Sequence, residues 1–470
     1  MPGRKNLRAW KRHTEDSEEV SVNPMFARPG ATESVSKWKL RQGEMEPDTA
    51  YQVIHDEIFL DGNARQNLAT FVSTWMEPQA DKLYAEAYDK NMIDKDEYPQ
   101  TAAIEQRCVN ILADLWNSPD PKTTHGTSTI GSSEACMLGG LAMKRLWQQK
   151  RRAEGKSTEK PNIVMSAGVQ VVWEKFANYW DVEARYVPVT NEEPCLNGAN
   201  VIPFVDENTI AVVPILGVTY TGTFEPVKEI AAALDKYQAE TGIDIPIHVD
   251  GASGAFIAPF LNPDLEWDFR LDRVHSISTS GHKFGLVYPG LGWVVWAKKE
   301  YLPEDLIFNV SYLGGNMPTF ALNFSRPGAQ VLLQYYNFLR LGRDGYTRVH
   351  GTCLDIGRYL AKEIDRMEMF DIYTDGTDMP LITWTLKGGY TDKWDLYDLS
   401  DRLRERGWLI PAYPMPPDIE DLSVMRVVFR NGMSMDLTAL LLADIRAAVE
   451  YLDALTAPLP KEGKKGSYSH

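Results

Sequence analysis

From about residue 66 to residue 353, helical stretches alternate with short strand-like runs, and this alternation constrains the fold more than any other feature. Asn162-Ile163-Val164-Met165, Ile210-Ala211-Val212-Val213 and Ile247-His248-Val249-Asp250 are examples of the runs. Short strands separated by helices point to an α/β layer with a large, mainly parallel but mixed sheet. Ligands of such sheets gather at the carboxyl ends of the strands. From about residue 354 the pattern becomes that of a smaller α+β unit, with strands at Leu381-Ile382-Thr383-Trp384 and Val424-Met425-Arg426-Val427-Val428. Leu437, Leu440, Leu441, Ile445, Val449 and Leu452 mark the expected inner face of a long final helix. The expected division is therefore an N-terminal arm over 1–65, a large domain over 66–353 and a small C-terminal domain over 354–470 with a mobile tail.

The bulk numbers matter here for what they exclude. A net charge of −16 argues against a nucleic-acid surface. It also gives an anionic substrate no help at long range, so local groups must catch one. Cys108, Cys136, Cys195 and Cys353 are far apart, which suggests neither a disulfide framework nor a metal site and suits a reducing cytoplasm. The N-terminus carries Arg4, Lys5, Arg8, Lys11 and Arg12 without the apolar core of a secretory signal. Apolar runs such as 290–297 are too short to span a bilayer.

Two strand ends carry chemistry. Val274-His275-Ser276-Ile277-Ser278 leads into Ser280-Gly281-His282-Lys283. A lysine at a strand end can form a Schiff base with an aldehyde, of which pyridoxal phosphate is the commonest protein-bound example. The same tetrapeptide also suits a solvated turn. About thirty residues earlier, alternation places His248 and Asp250 on one face of a strand. An aspartate there would keep the pyridine nitrogen protonated, so that the ring acts as an electron sink. Ala252 is small enough for the ring to lie flat against it. His248 reads equally as a cofactor contact or as a core histidine. A third element, Ile130-Gly131-Ser132-Ser133-Glu134, reads as a helix start with Ser132 and Ser133 as caps. Its free N–H groups and positive dipole end form an anion site suited to a phosphate.

Taken together, these elements resemble the glutamate decarboxylases, a group II pyridoxal-phosphate-dependent decarboxylase family of fold-type I. The motifs that carry the resemblance are Asp61-Gly62-Asn63-Ala64-Arg65-Gln66-Asn67-Leu68-Ala69-Thr70-Phe71, Ile130-Gly131-Ser132-Ser133-Glu134-Ala135, Trp267-Asp268-Phe269-Arg270 and Asn323-Phe324-Ser325-Arg326. The match runs from about residue 50 to about residue 455.

The resemblance implies that the protein is an enzyme converting L-glutamate to 4-aminobutanoate and carbon dioxide, with pyridoxal 5'-phosphate held on Lys283. It adds Ser280 and His282 as phosphate or ring partners and Thr219 near the ring hydroxyl or the substrate carboxylate. Gln170 would lie across the ring from Ala252, and Ser325 would reach the phosphate of a neighbouring subunit. Thr70, Phe71, Asn91 and Asp94 match the pocket for the distal carboxylate. An aspartate there repels the substrate unless protonated, which suits an enzyme working in acid. Arg426 would pair with the α-carboxylate, and Tyr312 would deliver the proton that replaces it. Glu174 stands where some bacterial relatives carry histidine and is given no catalytic role. The family also implies a homo-oligomer, at least a dimer, with a hexamer as the larger alternative. The plant calmodulin-binding extension has no counterpart in this sequence, and His470 is read as part of a free tail.

Overall fold

The segments Asn162–Ser166, Thr209–Val213 and Gly292–Trp296 are buried at every position. Their sheet must therefore be covered on both faces, as parallel sheets are. The computed structural model describes residues 35–191, 193–310 and 317–459. Tyr312 and His470 lie outside the described residues. The chain divides into two compact units, Met1–Asn63 and Ala64–His470. The first holds α1 (Pro47–Ile58), whose N-terminus is capped by Glu46, the carboxylate accepting from the Asp48 N–H at 2.8 Å. Proline at the first helical position sacrifices no bond, because that N–H has no partner within the helix.

The second unit begins with α2 (Pro78–Ala87) and α3 (Pro99–Leu115), both started by proline. There follow β1 (His125–Thr129), α4 (Ser132–Ala153), β2 (Asn162–Ser166), α5 (Val171–Tyr179) and β3 (Glu183–Val187). Next come β4 (Thr209–Val213), α6 (Val227–Thr241), β5 (Ile247–Asp250), the short α7 (Ala258–Leu261), β6 (Val274–Thr279) and β7 (Gly292–Trp296). The seven strands form one sheet in the order β1-β7-β6-β5-β4-β2-β3. Within it β7 runs antiparallel to both neighbours and the other pairings are parallel. The mainly parallel α/β sheet expected from the alternation is present. β5 and β6 are adjacent, with Asp250 opposite Ser278. This register sets the carboxyl end of β5 beside the turn that carries Lys283.

β8 (Phe308–Val310) and β9 (Met317–Thr319) form a separate two-stranded ladder. α8 (Ala329–Asp365) is interrupted at Gly342, whose φ of 56° and ψ of −169° only glycine adopts easily. Val331, Leu333 and Tyr346 of this helix belong to the core beneath the large sheet. Beyond the break Cys353, Ile356, Leu360 and Ile364 join a second core. That core is completed by β10 (Phe370–Thr374), β11 (Leu381–Leu386), α9 (Leu396–Arg404), β12 (Ala412–Pro414), β13 (Ser423–Val428) and α10 (Met435–Asp453). Its four strands are antiparallel in the order β10-β11-β13-β12. Leu68 lies in this second core and Phe71 in the first. The segment around Thr70 therefore bridges the two.

Two local expectations need correction. Neither Ser132 nor Ser133 is the cap of α4: Gly131 holds that position, and the serines are the first two helical residues. On α10, Leu441, Ile445, Val449 and Leu452 are buried, but Leu440 is 60% exposed. It sits one residue before the buried Leu441, a turn of about 100° that carries it out of the apolar stripe. Among the described residues no helix is long and apolar enough to cross a membrane, and no His, Cys, Asp and Glu cluster suits a metal ion.

Candidate active site

Asp250 is the last residue of β5 and is buried, 3% exposed. Its Oδ2 accepts from the indole Nε1 of Trp173 at 2.8 Å, and its Oδ1 accepts from the Ala252 N–H at 3.1 Å. His248, two residues earlier on the same face, is fully buried. Its Nδ1 lies 2.7 Å from Ser276 Oγ and its Nε2 lies 3.0 Å from Ser278 Oγ. Burial pushes its pKa down to about 3, so it is neutral. Of its two readings, the structure gives the hydrogen-bonded core histidine. Gly139 of α4 leaves room for that ring, since a Cβ there would lie 2.4 Å from His248 Cε1.

Lys283 sits in the turn that follows β6. Its Nζ is 3.5 Å from Ser253 Oγ and 5.3 Å from the centroid of the Phe71 ring. Removal from water lowers its pKa, against the opposing attraction of Asp250. Burial therefore favours the neutral amine, which is the nucleophilic form. The backbone of the turn is tied down on several sides. Ser73 donates from Oγ to the Lys283 carbonyl and from its N–H to the His282 carbonyl, both at 2.8 Å. The Gly285 carbonyl accepts from Gln334, Asn337 and Tyr346. Leu286 adopts a left-handed φ of 63°, uncommon for such a side chain, and Asn337 Nδ2 holds its carbonyl at 2.9 Å. The lysine is presented from a rigid support.

The N-terminus of α4 approaches the same turn. A Cβ on Gly131 would lie 3.2 Å from His282 Cε1. Nδ1 of His282 accepts from the Leu291 N–H at 3.2 Å, which leaves the ring proton on Nε2. Burial and then the charge of Lys283 bring its pKa down to about 4. Among the described residues, Ser280 Oγ is buried without a hydrogen-bond partner. The first-turn N–H groups of α4 have no intrahelical carbonyl to bond. An uncommitted hydroxyl, a neutral imidazole N–H and a helix N-terminus together suit a phosphate. With Asp250 for a ring nitrogen, the small Ala252 and an amine at Lys283, these residues fit pyridoxal phosphate.

Arg426 on β13 is buried, 8% exposed. It donates to the carbonyls of Thr219 and Ala69, and its guanidinium lies 4.8 Å from the Phe71 ring centroid and 5.4 Å from that of Tyr413. Its Nε is buried without a partner among the described residues. Phe71 thus brings Arg426 and Lys283 to one place. Thr70 adjoins it, its Oγ1 accepting from the Val72 N–H at 3.2 Å. Gln170 is exposed at the start of α5, where its side chain caps the Val172 N–H at 2.6 Å.

Asn91, Asp94 and Ser325 form a different group. Asn91 Nδ2 lies 3.3 Å from Ser325 Oγ, and the Asp94 N–H donates to the Asn91 carbonyl. Ser325 is exposed, and its loop is moored by Arg326 on Ser128 and Glu105 and by Glu134 accepting from the Asn323 N–H at 3.1 Å. No hydrogen bond, ion pair or ring contact among the described residues joins this group to Lys283 or Arg426. Trp173, Ser73, Ser253 and Tyr413 were not marked as site residues by the sequence. Their contacts depend on chain segments 30 to 210 residues apart, for which periodicity carries no signal.

Comparison with known proteins agrees with this geometry. Residues 42–387 match the pyridoxal-dependent decarboxylase conserved domain. A glutamate decarboxylase of Aliivibrio fischeri is 58% identical over 92% of this chain and 93% of its own length. Glutamate decarboxylase beta of Listeria innocua is 47% identical over 94% of this chain and 96% of its own. The solved glutamate decarboxylase of Lactobacillus brevis superposes with a TM-score of 0.89 at 46% identity, covering 92% of this chain and 98% of that one. A sphingosine-1-phosphate lyase of Burkholderia pseudomallei, at 19% identity and a TM-score of 0.74 over 91% of this chain and 95% of its own, shares the fold alone. The chain belongs to the pyridoxal-dependent decarboxylase family and has its fold-type I architecture.

Proposed function

We propose that this protein is a glutamate decarboxylase, which removes the α-carboxylate of L-glutamate as carbon dioxide and leaves 4-aminobutanoate. The observation that carries the reading is the convergence of Lys283 and Arg426 on the Phe71 ring, with Asp250 acting on the Lys283 amine, in a chain 47–58% identical to proteins of that name. When bound, pyridoxal phosphate supplies an electron sink for the pair left on the α carbon.

The chain's own residues would hold, orient and protonate. Lys283 would hold the cofactor through Nζ, and Asp250 would face the ring nitrogen. Ser132, Ser133, Ser280 and His282 would hold the phosphate, with Ser325 contributed from a neighbouring subunit. Ala252 and Gln170 would flank the ring, and Thr219 would lie near its hydroxyl. Arg426 would bind the α-carboxylate through its planar fork, with Thr70, Phe71, Asn91 and Asp94 at the distal carboxylate. Release of carbon dioxide leaves the α carbon one proton short, and Tyr312 is the residue assigned to supply it. Net, one proton is consumed in each turnover. The exposed position of Ser325 supports assembly into a homo-oligomer, at least a dimer. A cytoplasmic location completes the reading.

The test is carbon dioxide release from a panel of amino acids, with and without added pyridoxal phosphate, from acid to neutral pH. Cofactor-dependent release from glutamate is the expected result. Preference for an aromatic amino acid, or no release from any, would remove the assignment.

A further inference from the structure

Asp250 makes no ion pair among the described residues, although its charge acts on the buried amine of Lys283. Two neutral donors hold it instead: the Ala252 N–H on Oδ1 at 3.1 Å and the Trp173 indole on Oδ2 at 2.8 Å. The indole N–H can only donate, so this bond is strongest when the carboxylate is charged. The other polar side chain of the strand face is already occupied. His248 spends one ring nitrogen on Ser276 and the other on Ser278. Trp173 itself is fully buried and cannot swing away. Phe176 meets it edge-on at 5.7 Å and His248 at 5.3 Å, and Gly139 and α4 back the imidazole.

We propose that Trp173 is a positioning residue for Asp250, fixing one carboxylate oxygen so that the other lone pairs face the pyridine nitrogen of the cofactor. This rests on the pyridoxal phosphate reading above. A hydrogen bond to the charged form of an acid favours that form. Without the indole donor, the shared proton shifts from the ring nitrogen toward the carboxylate, and the ring loses part of its pull on electrons. Trp173 touches neither substrate nor cofactor in this scheme and acts through Asp250.

The experiment loads the full-length protein with pyridoxal phosphate labelled with 15N in the ring and records the nitrogen chemical shift and the cofactor dissociation constant. The parent chain should show a protonated ring nitrogen. Failure of the parent chain to bind the cofactor would overturn the cofactor reading and this inference with it. Trp173→Phe keeps an aromatic ring and removes the donor. It should move the shift toward the neutral pyridine value and weaken cofactor binding roughly tenfold or more, the scale of a hydrogen bond to a charged group. Phe176→Leu loosens the same packing without touching Asp250 and should leave the shift unchanged. A parent-like shift and affinity in Trp173→Phe would overturn the proposal, as would an equal change in Phe176→Leu. Should Trp173→Phe not fold, the parent chain grown with 15N-tryptophan gives the answer. One indole N–H resonance should lie downfield and move upfield in Asp250→Asn; its absence would overturn the proposal.

Discussion

The guanidinium of Arg426 lies over the ring of Phe71, 4.8 Å from its centroid, while the amine of Lys283 approaches the same ring at 5.3 Å. One aromatic side chain thus meets both basic groups, whose proposed partners, an α-carboxylate and a cofactor aldehyde, belong to one reacting assembly. A ring is suited to this, because its electron-rich face attracts the guanidinium without neutralising it.

Arg426→Lys should therefore damage substrate binding more than cofactor binding. A lysine ammonium cannot span the Thr219 and Ala69 carbonyls that hold the guanidinium plane. The expected result is a rise in KM for glutamate of about tenfold or more, the scale of a lost charged hydrogen bond, with the cofactor dissociation constant little changed. Steady-state kinetics beside a cofactor titration separates the two.

Ser280→Ala should split stability from cofactor affinity. Its hydroxyl is buried without a partner among the described residues, so removing it should leave the unfolding free energy of cofactor-free protein unchanged or slightly higher. Binding of pyridoxal phosphate should weaken, by about tenfold for one lost hydrogen bond of about 1.4 kcal/mol. Denaturant unfolding and a cofactor titration on the same preparation check both halves.

Glu225 should make the protein less stable as pH rises toward neutrality. It is 1% exposed, accepts from the N–H groups of Leu196 and Ile215, and burial pushes its pKa up from 4.5 to about 7. The unfolded chain releases this proton near pH 4.5 and the folded chain keeps it until about pH 7. Stability is therefore fully present below pH 4.5 and falls across that window, by up to roughly 3 kcal/mol. Glu225→Gln cannot titrate. Its stability deficit against the parent should shrink as pH rises from 4.5 to 7, measured by urea unfolding; a constant gap would sink the prediction.

Gly139→Ala should destabilise the fold through His248. The added methyl would lie 2.4 Å from Cε1 and 2.5 Å from Nδ1 of a ring pinned between two serines. Overpacking of this kind costs about 1–3 kcal/mol, read as a lower midpoint in denaturant with an unchanged slope.

The sequence alone determined the mainly parallel sheet, the strand ends at Asp250 and before Lys283, and the helix start at Ser132. Each depends on local periodicity or on a residue type at an element boundary, which a linear reading can see. The roles of Arg426 and Phe71 came from resemblance to a family and not from spacing. Only the tertiary structure decided that His248 is locked in the core, that Gly131 rather than a serine caps α4, and that Trp173 binds Asp250 across 77 residues. It also decided that Ser73 is bonded to the Lys283 carbonyl across 210 residues. The physical reason is that hydrophobic periodicity specifies which face of an element is buried, but not which partner meets it there. Burial, donor geometry and the direction of each pKa shift arise from that meeting.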